Sequence, residues 1–204
     1  MASQYNYAEI IPWLEQKGKL QFGDKFHFVE DDLNNIKKLI CYFLRDEVMA
    51  ATFNIDLEKG ILLSGPVGCG KTTLMTLMRN VAQQNNKFIL KTCRDISFEF
   101  IKDGYQTIQK YSNGNNSQSE YRNYCFDDLG VETNLKYYGN ECNVLAEILL
   151  SRYDMFISNK KFTHITTNLS ATEIETAYSN RVRSRLREMC NLVAFESDSD
   201  DKRK

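Results

Sequence analysis

Nine consecutive residues, Gly65, Pro66, Val67, Gly68, Cys69, Gly70, Lys71, Thr72 and Thr73, follow the pattern G-x-x-x-x-G-K-[ST] and then add a second threonine. Glycines let a backbone turn tightly and aim successive N–H groups inward as an anion cradle. A helix beginning at Lys71 would add its positive N-terminal dipole. The ammonium of Lys71 suits the β- and γ-phosphates of a nucleotide, and the Thr72 hydroxyl suits Mg2+. Average composition produces this match by chance in roughly one of a hundred or more chains of this length. The setting sharpens the reading: an apolar run, Ile61–Ser64, precedes the motif and Leu74–Met78 follows it. That is the strand, loop and helix the chemistry needs.

A second chemical feature is the acidic pair Asp127 and Asp128, which closes the apolar run Tyr124–Phe126. In a parallel α/β sheet, ligands sit beyond the carboxyl ends of the strands. Placed there, Asp127 would serve the Mg2+ shell. Asp128 would polarise the attacking water, the base role of phosphoryl transfer. The alternative for the pair alone is a surface acidic turn.

The elements that must hold these groups are legible as alternating patterns. Strands are expected at Ile61–Ser64, Phe88–Cys93, Tyr121–Phe126, Phe162–Thr167 and Leu192–Phe195. Helices are expected at Tyr7–Gln16, Asp31–Phe53, Lys71–Gln84, Asp95–Tyr111, Asn143–Ile157 and Asn180–Met189. Another should start after Ser170, because Glu173 follows at capping-box spacing. Short apolar strands alternating with helices imply an α/β fold with a parallel sheet covered on both faces. Polar Ser112–Glu120 reads as a loop, and charged Ser197–Lys204 as an unstructured tail.

Composition narrows the class. The chain has 204 residues, 42% hydrophobic and 26% charged, with two prolines and ten glycines. This is a normal globular mixture, unlike disordered or collagen-like chains. A net charge of −1 argues against nucleic-acid binding by bulk charge, though a local basic face is compatible with it. No apolar stretch approaches the roughly 18 residues a bilayer requires. The first twenty residues carry Glu9 and Glu15 and no apolar run, so a cytoplasmic protein without membrane contact is expected. Six cysteines contain no C-x-x-C pair, and His27 and His164 stand apart from any ligand-like cluster. Reduced thiols that fill the core are the expectation.

Beyond the phosphate loop, the FDDLG strand end, the LLSRYD segment, the THITTNLS strand and the NRVRSRLREM helix together resemble the AAA+ ATPases. Within them the chain is similar to the DnaC/IstB-like group of helicase loaders and transposition ATPases. The resemblance spans roughly Phe53 to Phe195 and implies an AAA+ P-loop sandwich with strand order 2-3-4-1-5. It divides the chain into an N-terminal helical segment (1–53), an ATPase core (54–196) and a disordered charged tail (197–204). Only 36 residues follow Asn168, so no separate C-terminal lid domain is implied. By position, Asn168 resembles the sensor that places the attacking water or the γ-phosphate. Arg185 matches the arginine finger and Arg181 the preceding arginine of the same box. Arg152 matches an R-Y pair without an assigned role. Most AAA+ proteins carry Glu where Asp128 stands.

A helical projection places Val182, Leu186 and Met189 on one face, Arg181 and Arg185 on one flank, and Arg183 and Arg187 on the other. An apolar anchor of this kind lets Arg181 and Arg185 reach the ATP of a neighbouring copy. The alternative is a solvated basic flank.

The leading functional expectation is an ATP- and Mg2+-dependent accessory of DNA replication, a self-associating, helicase-loader-like ATPase of phage or mobile-element type. Its partners would be ATP or ADP, a replicative helicase and single-stranded DNA. For the DNA, Arg94, Lys102 and Lys110 supply positive charge, and Phe98, Phe100, Tyr105 and Tyr111 offer stacking faces unless they belong to the core. Alternatives are an IstB-like transposition ATPase, a small-molecule kinase with the same loop, and a non-hydrolysing nucleotide-dependent interaction module. The kinase reading predicts the Ile61–Ser64 strand directly beside Tyr121–Phe126.

Overall fold

A computed structural model describes residues 3–112, 122–132, 135–137, 140–196, 199 and 201–202. Most of the expected polar loop, and residues 197, 198, 200, 203 and 204 of the charged tail, lie outside the described residues.

Five strands form one parallel sheet: β1 (Gly60–Ser64), β2 (Phe88–Thr92), β3 (Asn123–Leu129), β6 (Thr163–Thr167) and β7 (Cys190–Ala194). Their order is β2-β3-β6-β1-β7, which among the five is the expected 2-3-4-1-5. Strand β1 pairs with β6 and β7, and β3 pairs with β2 and β6. The kinase arrangement, with β1 beside β3, is therefore not the one adopted. A short antiparallel hairpin, β4 (Leu135–Tyr137) with β5 (Asn140–Cys142), was not anticipated.

Alternation along the strands sorts the two cores. Ile61, Leu63, Cys125 and Val193 face a layer built by α1 (Tyr7–Phe22), α2 (Leu33–Leu44), α3 (Glu47–Phe53) and α4 (Lys71–Met78). Tyr124, Phe126 and Ile165 face the opposite layer. That layer comprises α5 (Cys93–Asp103), α6 (Tyr105–Ser112), α7 (Val144–Asn159), α8 (Ala171–Tyr178) and α9 (Asn180–Met189). The N-terminal helices thus share a continuous core with β1 and α4, through Leu14, Ile36, Leu39 and Phe43.

Several helix boundaries differ from expectation, each for a local reason. The stretch expected as one helix over Asp31–Phe53 is a 3-10 turn at Glu30–Asp32 followed by α2 and α3. Arg45 takes a left-handed conformation, with φ of 55°, and its N–H bonds to the carbonyls of Cys41 and Tyr42. Asp46 then caps the new helix by accepting from the Met49 N–H. Gly104 likewise splits the expected Asp95–Tyr111 helix into α5 and α6. Helix α1 runs on to Phe22 and stops at Gly23, while α4 ends early, at Met78. The capping box at Ser170 and Glu173 is formed, and α9 spans the expected residues.

Candidate functional site

The phosphate loop joins β1 to α4 at the carboxyl end of β1, an interior strand of the sheet. Gly68 and Gly70 have φ of 87° and 96°, a region that only glycine enters without strain. Gly70 is also the N-cap of α4. Having no side chain to bond the first-turn N–H groups, it leaves them directed at the loop interior. Lys71 is buried, and its Nζ donates to the carbonyls of Gly65 and Pro66 at 2.8 Å each. The cation is thus held inside the loop by weak neutral acceptors.

Beneath the loop lies a hydroxyl–carboxylate cluster. Thr72 Oγ1 donates to Asp127, 3.0 Å from each carboxylate oxygen. Thr166 Oγ1 donates to Asp127 Oδ1 at 2.6 Å and accepts the Asp128 N–H at 2.8 Å. Asp127 is 2% exposed. Burial raises its carboxyl above the ordinary carboxylate range, against the lowering effect of the Thr166 and Thr72 hydrogen bonds.

The strand does not stop at the acidic pair, as the sequence suggested. It continues to Leu129, and its register against β6 shifts between Phe126 and Leu129. Asp128 sits in this bulge with φ of 56°, a conformation that Asp tolerates better than most side chains. The bulge breaks the strict two-residue alternation of the strand. Asp127 is consequently sealed against Thr72 and Thr166, while Asp128 lines an open cavity.

That cavity measures about 600 Å³. The whole stretch from Val67 to Leu74 lines it, together with Asp128 and Asn168. It is also lined by the end of α1 and the segment that follows, where Phe22, Phe26 and Phe28 converge. Lys202 closes one side. The volume lies within the range of small-molecule and cofactor sites. The chain therefore brings together the phosphate loop, Lys71, Thr72, Asp128 and Asn168, with Asp127 directly below.

The residues fit a nucleoside triphosphate with Mg2+. A buried cation, open helix N–H groups and two hard oxygen donors, from Thr72 and Asp127, are all present. Among the described residues no group of three or more His, Cys, Asp or Glu side chains could hold a metal ion by itself. Two protein oxygens are in keeping with Mg2+, which typically takes one or two carboxylates plus substrate phosphates.

Arg181 and Arg185 do not line this cavity. Val182, Leu186 and Met189 bury one face of α9, as the projection required. Arg185 lies against α7: its Nη1 donates to the Leu150 carbonyl at 3.3 Å and stands 3.5 Å from Asp154 Oδ1. Its guanidinium covers the Tyr153 ring at 4.4 Å. Arg181 is exposed. The LLSRYD segment thus supplies the clasp for Arg185 through Leu150, Tyr153 and Asp154.

Arg152 in the same segment has a different place. It is 1% exposed, donates from Nε to Thr163 Oγ1 at 2.9 Å and from Nη2 to the Phe162 carbonyl at 2.8 Å, and lies over the Tyr124 ring. Burial pushes its pKa down to about 10. This arginine ties α7 to the start of β6.

Sequence reasoning missed Thr166, the aromatic wall and Lys202. Thr166 was within reach, in β6 and two residues before Asn168. The aromatic wall carried no motif. The expected stacking residues divide: Phe98 and Tyr105 are exposed, whereas Phe100 and Tyr111 are core. Arg94 covers the Phe98 ring at 5.4 Å, and Lys110 pairs with Glu99. No helix among the described residues is long and apolar enough to cross a membrane. All six cysteines are free, five of them buried.

No sequence family matches the chain, and no curated protein matches it by sequence. Solved structures do match in fold. A DnaC helicase loader superposes with a TM-score of 0.57 at 20% identity, over 85% of this chain and 95% of that one. DnaI gives 0.54 at 18% identity, over 85% and 89%. DnaA from Aquifex aeolicus, bound to AMPPCP, gives 0.51 at 19% identity over 88% of this chain, which spans only 51% of that protein. The fold is that of the AAA+ P-loop proteins.

Proposed function

We propose that this chain is an ATP-hydrolysing accessory of DNA replication, of the helicase-loader type, which works as an assembly of copies. One observation carries the reading: the Thr72–Asp127–Thr166 cluster sits directly under a phosphate loop whose lysine is buried and held by neutral acceptors of the loop itself. The likeness in fold to a DnaC helicase loader and to DnaI supports the replication assignment, and AMPPCP on the DnaA neighbour supports an adenine nucleotide.

Lys71 exchanges its two carbonyl partners for phosphate oxygens, a gain because charge-assisted hydrogen bonds are the stronger kind. The α4 N–H groups and the loop backbone orient the phosphates. Thr72 and Asp127 hold Mg2+, which supplies neutralisation of the charge that develops on the phosphates. Thr166 fixes the Asp127 carboxylate and pins the backbone of Asp128, so the Asp128 carboxylate faces the cavity from a rigid bulge. There it takes a proton from the attacking water. Asn168 orients that water from the end of β6. Arg185, with Arg181 beside it, acts on the nucleotide of an adjacent copy.

On the opposite layer, Arg94, Phe98, Ile101, Lys102 and Tyr105 form one stripe along α5 into α6. Phe98, Ile101 and Tyr105 are each more than half exposed. Interleaved cations and aromatic rings suit the phosphates and bases of single-stranded DNA.

The test is the mass in solution with ADP and with a slowly hydrolysed ATP analogue, each with and without single-stranded DNA. Assembly in the analogue, strengthened by the DNA, is expected. A monomer that binds no nucleotide under any of these conditions defeats the reading.

A further inference from the structure

Beyond β7, Asp201 and Lys202 lie against the phosphate loop. The Lys202 N–H donates to the Gly68 carbonyl at 3.1 Å. Its Nζ donates to the Cys69 carbonyl at 2.8 Å and pairs with Asp32 at the entrance to α2. The same ammonium lies 5.2 Å from the Phe195 ring. The Lys202 side chain passes within ordinary contact of the place a Cβ would take on Gly70, at 3.7 Å from Cδ. On Gly68, the corresponding place is filled by the Asp201 carboxyl group. Gly68 thus answers two demands at once, a positive φ and a carboxylate packed against its Cα.

We propose that Asp201 and Lys202 form an autoinhibitory strap over the phosphate loop, displaced when the phosphates of a nucleoside triphosphate enter. The proposal rests on the nucleotide-binding reading above. Three features make the segment a competitor and not an extra phosphate ligand. Asp201 places a negative charge against the anion cradle, where it repels incoming phosphates. The Lys202 ammonium is already engaged by Asp32 and a loop carbonyl. Lys71, meanwhile, is turned back onto Gly65 and Pro66. The strap holds the Gly68 and Cys69 carbonyls while phosphates need the loop N–H groups, so the two compete for the space over the loop, which Asp201 and Lys202 partly fill. By thermodynamic reciprocity, whatever the strap subtracts from nucleotide affinity, the nucleotide subtracts from the strap.

Two measurements on the full chain test this. The first is the affinity for a fluorescent N-methylanthraniloyl ADP with Mg2+, in the parent and in Asp201→Ala/Lys202→Ala. Binding should tighten about fivefold or more in the variant, the lower end of typical coupling between sites. Unchanged or weaker binding overturns the strap. The second is the rate at which trypsin cuts after Lys202, followed by mass. It should be slow in the parent, faster in Asp32→Asn, and faster in the parent once Mg2+ and tripolyphosphate are added. Equal rates in the parent and in Asp32→Asn overturn the strap. If neither protein binds the nucleotide, the nucleotide reading fails, and the comparison of the parent with Asp32→Asn still decides the strap.

Discussion

The phosphate-loop side of the sheet and the α7–α9 side both carry residues suited to ATP hydrolysis, but they are built in opposite ways. On the first side the groups converge within one chain. Lys71, Thr72, Asp128 and Asn168 border a single cavity, and Asp127 and Thr166 lock together beneath them. On the second side Arg185 is held away from that cavity by Leu150, Tyr153 and Asp154. Its guanidinium lies over the Tyr153 ring and is largely covered by α7. The contrast separates groups that converge within one chain from an arginine whose proposed target lies on another copy.

The strongest way to break this comparison is to disable each side and then mix. Lys71→Ala and Arg185→Ala should each reduce turnover by about 10³-fold, the scale of a lost arginine finger. Arg185→Ala should still bind ATP, whereas Lys71→Ala should not. Mixing the two should restore part of the activity, and turnover of the parent should rise with protein concentration. A silent mixture together with concentration-independent turnover would place Arg185 outside the reaction.

Asp128→Asn sharpens the first side alone. The carboxamide keeps the shape of the bulge but cannot take a proton. Turnover should fall on the order of 10²-fold while ATP affinity stays near that of the parent. Turnover equal to the parent's would remove Asp128 from the base role.

Thr166→Val asks how far the Asp127–Asp128 pair depends on one hydroxyl. The valine removes a donor to buried Asp127 and the acceptor for the Asp128 N–H. A loss of about 1–3 kcal/mol in unfolding free energy is expected, read from denaturant titration, along with weaker Mg2+ dependence of nucleotide binding. A variant as stable as the parent would show that other groups satisfy both partners.

The smallest effect concerns the core under β1 and β6. His164 is fully buried among Tyr42, Phe43 and Phe88, and its Nδ1 accepts the Ile61 N–H. Burial pushes its pKa down to about 3, with the charge of Arg152 acting in the same direction. Between the ordinary value near 6.5 and about 3, the unfolded chain takes a proton that the folded chain refuses. Stability should therefore fall as pH falls through that window, by at most about 1.4 kcal/mol per pH unit from this group. Denaturant midpoints at pH 7.5 and 5 should show a smaller difference in His164→Gln. Identical differences would assign the acid sensitivity to other groups.

Much of this molecule was legible without coordinates. The phosphate loop announces itself because its chemistry depends on contiguous residues: glycines for backbone freedom, then a lysine and a threonine on the first helical turn. The strands and their parallel class follow from short apolar runs alternating with helical patterns. The capping box at Ser170 and the apolar face of α9 are equally local, since neighbours three or four residues apart determine them. What tertiary structure decided depends on partners distant in sequence. Thr166 matters only because β6 lies beside β3 and a bulge turns Asp128 toward it. Arg152 is a buried tie between α7 and β6, while Tyr153 and Asp154 beside it hold Arg185, and only the packing of α7 separates those roles. The meeting of Lys202 with Gly68 and Cys69 likewise joins residues more than 130 positions apart. Contacts of this kind are a property of the assembled sheet, because strand pairing brings together residues whose separation along the chain leaves no periodic trace.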